Sequence, residues 1–251
     1  MIASLPMYDR PETAAANDRF WTSIRHHLGE GPDALTRGGD LLAQWQARDL
    51  IFSQTCGYPY RAQLHGDVTL IGTPDYGLPG CPPGHYNSVI VVHKDASGAH
   101  LADFEHARFA YNEALSQSGW AGPQTHARAQ GLTFRNLVQT SGHLLSAQAV
   151  AEGRADIAGI DALTWELLQR YEAFASALRV LERTAPTPVL PYITAKGRDG
   201  AAHFDAVSNA IHDLAPEDRT RLHLKALVAI PAEAYLAVPS PPSPSDVALK
   251  P

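Results

Sequence analysis

Two short runs of this chain hold the residues best suited to grip a ligand. Asn112 to Trp120 reads Asn-Glu-Ala-Leu-Ser-Gln-Ser-Gly-Trp, and Gln139 to Ser146 reads Gln-Thr-Ser-Gly-His-Leu-Leu-Ser. Each places small hydroxyl residues and a glycine after a β-like stretch, Arg108 to Tyr111 and Phe134 to Val138, and before a helix-like one. Ser116, Gln117, Ser118 and Gly119 in the first run, and Ser141 with His143 in the second, would bring hydroxyls, unpaired backbone N–H groups and the positive end of a helix dipole to the C-terminal edge of a sheet. That is the chemistry of anion binding. The same residue types have a simpler use, since serine is an ordinary N-cap and a first-turn histidine an ordinary polar surface group. Asp161 stands between another strand-like run and a helix, where it either caps that helix or reads a ligand hydroxyl or amine.

Composition narrows what the site can meet. The chain has 251 residues, a net charge of −6 and 18% charged residues without a basic block, so nucleic acid and anionic membrane are poor partners and any anion site must be local. No run reaches the length of about eighteen apolar residues that a membrane span needs. The first residues, Met1 to Pro6, show neither the basic nor the apolar region of an export signal, which predicts a cytoplasmic protein as the chain stands and a periplasmic one if a leader has been removed. Cys56 and Cys81 lack the spacing of a zinc or redox motif; they are read as two thiols, with a disulfide as the alternative. The twelve histidines include no metalloenzyme pattern, and no metal or other cofactor is expected.

The elements that must position these residues alternate between β and α. Strands are predicted at Ile2 to Leu5, Leu50 to Phe52, Val68 to Ile71, Ser88 to Val92, a stretch ending near Tyr111, Phe134 to Val138, Asp156 to Ile160, Leu178 to Leu181 and Val189 to Thr194. Helices are predicted to about Leu28, then over Ser118 to Gln130, Leu144 to Glu152, Ala162 to Phe174, Ala201 to Asp213 and Glu217 to Leu227. Thr73 to Gly84 is too rich in Pro and Gly for regular structure. The pattern predicts an α/β protein of two lobes joined by two crossing strands, with a ligand in the cleft between them. One lobe would comprise residues 1–92 and 189–238 and the other 93–188, followed by a disordered Pro- and Ser-rich tail over 239–251. Tyr8, Tyr58 and Tyr76 fall just beyond first-lobe strands, where they would form either a stacking wall or partly buried core. Trp120 and Trp165 would either approach the site as well or, as aromatic residues on helix faces more often do, form core.

Three patterns in this order carry a resemblance: Pro83-Gly84 followed by Tyr86 and Ser88 to Asp95, then Ser116-Gln117-Ser118-Gly119, then Gly142-His143 at a helix start. Over roughly residues 1–200 the chain resembles the substrate-binding proteins of phosphate, phosphite and phosphonate ABC transporters, which have the type II periplasmic-binding-protein fold. The resemblance implies a non-enzymatic receptor that binds a small anionic ligand, a phosphonate or phosphate-type oxyanion, and hands it to a transporter permease. It further implies that Ser116, Ser118 and nearby amides hold the phosphonate group, that His143 adds a donor, and that Tyr86 closes from the other lobe. The acidic residues that would hold a ligand ammonium are not recognisable at Val189-Leu190-Pro191 or Leu163, which argues against an aminoalkylphosphonate. The alternative is a cytosolic enzyme on the same fold, of the thiamine-pyrimidine or menaquinone-pathway kind, with Cys56, His143 and Asp161 as its candidate reactive groups.

Overall fold

The computed structural model describes residues 1–248, which form two α/β units. The first comprises Met1–His85 and Pro188–Ala237; the second comprises Tyr86–Thr187 and the described residues from Val238 onward. The chain first passes from one unit to the other and back through two short extended segments that pair with each other, His85–Tyr86 and Thr187–Pro188, and it enters the second unit again after Ala237.

In the first unit, strands β1 (Ile2–Ser4), β2 (Leu50–Gln54) and β3 (Val68–Asp75) combine with two later ones, Tyr192–Ala195 and Ala226–Val228. All five residues of β2 are buried, as expected for a strand covered on both faces. The long helix Pro11–Leu28 starts on a proline, whose missing N–H costs nothing at that position, and ends on Gly29 in the left-handed conformation. Its Phe20, Trp21 and Ile24 are buried, and Trp21 stacks on Phe52 of β2 with ring centroids 6.0 Å apart.

The second unit holds the predicted anion-binding runs. Its strands are β4 (Ser88–His93), β5 (Phe109–Tyr111), β6 (Leu137–Gln139), β7 (Ile157–Asp161) and β8 (Leu178–Arg183). Their order across the sheet is β6-β5-β7-β4-β8. Strand β5 runs parallel to both β6 and β7, whereas β4 is antiparallel to β7 and β8. The chain after β5 begins a π-helical turn, Gln117–Ala121, that continues directly into the α-helix Gly122–Ala129. This helix lies close on the sheet because β7 carries Gly159, where a Cβ would overlap Pro123 and press on the Ser118 carbonyl.

Several sequence expectations change here. The first boundary falls at His85/Tyr86 and not after Val92, because Ser88–His93 pairs on both sides within the second unit's sheet. The second crossing is Thr187–Pro188, and Tyr192–Ala195 pairs with β2 and β3 of the first unit. Strand β3 extends to Asp75, through residues expected to be loop, because Thr73, Pro74 and Asp75 pair with Val228, Leu227 and Ala226. That partner strand occupies the end of the predicted helix Glu217 to Leu227; the helix observed is Pro216–Leu222, closed by His223 at φ 54°. The described part of the expected disordered tail is structured. Pro244–Val247 is helical, Pro244 and Val247 are buried, and Trp120 Nε1 donates to the Pro242 carbonyl at 3.2 Å. Residues 249–251 of that expected tail lie outside the described residues.

A methyl group at Gly159 has backbone and a proline ring to displace, so Gly159→Ala should destabilise the second unit by about 1–3 kcal/mol. Urea unfolding followed by Trp120 fluorescence measures this, and a wild-type midpoint would contradict the tight packing of the helix on β7.

Candidate anion site

Parallel pairing sets the site's geometry. Because β5, β6 and β7 run the same way, their C-terminal ends share one edge, and each is followed by a helix start. Strand β5 lies between the other two, so its connections diverge beside it, which is where open α/β sheets leave a crevice. The first helix start is capped by Ser116, whose Oγ accepts from Gly119 N at 3.0 Å. Its π turn is built on the Ser116 carbonyl, which accepts from Trp120 N and Ala121 N at 3.2 and 2.9 Å. The second start follows Ser141, which has φ 63°, a left-handed conformation unusual for a residue with a side chain. The turn is held by Thr140 N donating to the Tyr111 carbonyl at 2.9 Å and Ser141 N donating to the Asn112 carbonyl at 3.0 Å. Gly142 then opens the helix His143–Ala151 without a side-chain cap.

One hydrogen bond joins the two starts: Ser118 Oγ lies 2.9 Å from His143 Nε2. Burial pushes His143 down to about 4, partly offset by the Gly159 backbone, so the imidazole is neutral at neutral pH. The residues gathered here are therefore uncharged hydrogen-bonding groups at the positive ends of two helices. Ser116, Gln117 and Ser118 are buried, and Ser141 is exposed.

The other predicted residues divide. Asp161 is buried and Oδ1 accepts from Thr164 N at 2.9 Å, the geometry of an N-cap. Tyr86 is buried in the second unit, the same one as Ser116, and so does not close from the other lobe; its place follows from the early crossing at His85/Tyr86. In the first unit Tyr8 and Tyr76 meet edge to face with centroids 5.4 Å apart, and Gln54 Nε2 donates to the Tyr76 hydroxyl at 3.0 Å. Burial raises the neighbouring Tyr192 phenol well above its ordinary range. Tyr58 stands apart from that pair's contacts and carries the Arg61 guanidinium 4.1 Å over its ring. Trp120 and Trp165 are core residues, and Cys56 and Cys81 remain thiols. Sequence reasoning passed over Thr140 and Asn112 as site residues; their position immediately after β6 and β5 was the available signal.

The model of the family described as the periplasmic substrate-binding protein of phosphonate ABC transporters matches residues 3–234. The chain belongs to that family. Membership makes it a substrate-binding protein with a small-molecule ligand and a transporter partner. Among curated proteins no sequence matches. Of solved structures, PhnD1 from Prochlorococcus marinus in complex with methylphosphonate is similar with a TM-score of 0.73 at 15% identity, over 93% of this chain and 94% of that one. A binding protein component of an ABC phosphonate transporter from Pseudomonas aeruginosa gives 0.68 at 16% identity, over 93% and 82%. XAC2383 from Xanthomonas citri bound to chloride gives 0.68 at 13% identity, over 94% and 98%. At these identities the likeness establishes the fold, the two-unit type II periplasmic-binding architecture. Among the described residues no helix is long and apolar enough to cross a membrane, and no cluster of three metal-ligating side chains occurs.

The His143 imidazole should titrate well below the ordinary histidine range. Its folded value lies below the unfolded one, so its contribution to stability is complete above about pH 6.5 and is lost as pH falls toward 4. NMR titration of the imidazole signals tests this. A His143 midpoint near 6.5 would mean that the ring is not desolvated.

Proposed function

We propose that this protein is the receptor of an ABC importer for a phosphorus oxyanion, with a phosphonate as the leading ligand class, and that the second unit holds the PO3 group at the paired helix starts. The observation that carries the reading is the Ser118–His143 hydrogen bond, which ties two helix N-termini together. In this reading the amides of Ser118 and its neighbours, the Ser116 and Ser118 hydroxyls, the Gln117 amide, Ser141 and His143 face three phosphoryl oxygens. Hydrogen bonds to an ionised acceptor are about twice as strong as neutral ones, so several uncharged donors and two helix dipoles suffice without a buried cation. A site of this kind binds and releases an oxyanion, with the Ser118 hydroxyl and the neutral His143 imidazole, 2.9 Å apart, as paired hydrogen-bonding groups. Asp161 remains the cap of its helix. The methylphosphonate named with the similar PhnD1 structure supports the ligand class, and the family supports the transporter partner.

Isothermal titration with methylphosphonate, phosphite and phosphate, with sulfate and acetate as comparisons, tests the reading. Binding of at least one phosphorus compound is expected. A ligand at a hundred times its dissociation constant adds about 2.7 kcal/mol, or roughly 5–10 °C in melting temperature. Ser118→Ala should weaken that binding about tenfold or more and also cost about 1–3 kcal/mol of stability, because His143 Nε2 loses its partner. Ser116→Ala should cost both affinity and about 1 kcal/mol of stability through the lost cap. Wild-type protein that ignores every phosphorus oxyanion, or a Ser118→Ala variant with undiminished affinity, would rule the site out.

A further inference from the structure

Asn112 occupies a place in the oxyanion site that neither helix start supplies. It follows β5 directly, and its carbonyl accepts from Ser141 N at 3.0 Å, so its backbone joins the loop before one helix to the turn before the other. Its side chain lies over the first turn of the Ser116 helix. A Cβ at Gly119 would overlap Asn112 Oδ1 and come within 3.1 Å of Ser116 Oγ, so the carboxamide fills the space that the glycine leaves open. Asn112 Oδ1 is buried there without a hydrogen-bond partner, a costly arrangement for an amide oxygen and one that an apolar side chain of similar size would avoid. With Oδ1 turned toward Gly119, Nδ2 points away from it. Nδ2 is not among the buried unpartnered atoms, and no hydrogen bond from it exists among the described residues. The amide thus keeps two N–H donors unspent at the edge where both helices begin.

Resting on the oxyanion reading above, we propose that Asn112 is a further ligand-binding residue, whose Nδ2 donates to a phosphoryl oxygen. The buried Oδ1 then has a purpose, because wedging that end against Gly119 fixes which end of the amide meets the ligand. A donor held in this way adds anion affinity without adding a charge. An aspartate in the same shape would set a carboxylate oxygen against the anion.

The experiment compares Asn112→Ala and Asn112→Asp with wild type by isothermal titration with methylphosphonate and phosphite, alongside the melting temperature of each ligand-free protein. Asn112→Ala should weaken binding about tenfold and the nearly isosteric Asn112→Asp about a hundredfold or more. Affinity within about twofold of wild type in Asn112→Asp would overturn the assignment. Should either variant fail to fold, the side-chain amide signals of Asn112 in 15N-labelled wild type decide the matter: they should move on saturation with methylphosphonate, and unmoved signals would overturn the proposal. Binding that depends on Ser118 and ignores Asn112 would remove this inference alone. A wild-type protein that binds no phosphorus oxyanion would remove it together with the site.

Discussion

The second unit depends on a single geometric condition, that β5, β6 and β7 lie parallel and adjacent. Parallel neighbours end at the same edge, and each must be followed by a crossover, so helix N-termini accumulate there. The edge would be only a row of caps if the helices were held apart. Gly159 lets the helix after β5 settle onto β7, and the Ser118–His143 hydrogen bond then joins it to the helix after β6. Local chemistry at the two starts is shaped by the same closeness. Gly119 yields its side-chain space to Asn112, Ser141 accepts a left-handed backbone, and His143 loses its charge to burial.

The first unit shows a different use of polar groups. Ser4 and Ser53 hydroxyls lie 2.8 Å apart, and the indole of Trp45 donates to the same Ser53 oxygen. Gln54 joins Tyr76 to the Leu190 carbonyl, and Tyr235 donates to the Val189 carbonyl while lying close to Thr73 Oγ1. These groups are buried and mutually satisfied, which gives a sheet of mixed direction one arrangement among many of similar hydrophobic content. Tyr76 belongs to this network as much as to any binding surface. That dual position is a reason why a tyrosine following a strand is weak evidence for a ligand wall when seen in sequence alone.

What was legible in the sequence follows from how local each cause is. The alternation of β and α, the four β-branched residues from Val89 to Val92, and the serine, glycine and histidine at two helix starts are all short-range signals, and they led to the right fold and family. The two helix starts at Ser116 and Gly142 could also be read, since capping chemistry is written within four residues of where it acts. Non-local causes were not legible. Pro74 reads as a loop residue until its pairing partner Leu227 is known, and the run after Leu222 reads as helix until His223 turns it. Tyr86 was placed with the wrong unit because membership depends on which strands β4 pairs with. The contacts that Asn112 makes with Gly119 and Ser141 are likewise not written in the sequence around it.

The segment from Pro239 onward was read from composition as disordered, yet Pro242 accepts the indole proton of a wholly buried tryptophan and Val247 is itself buried. Both units are discontinuous in sequence. The first needs residues 188–237 to complete its sheet, and the second receives its last packed residues after Val238. During synthesis from the N-terminus, neither unit can reach its final contacts until its later segment, 188–237 for the first and the residues after Ala237 for the second, has emerged from the ribosome, so neither folds as one uninterrupted stretch of chain.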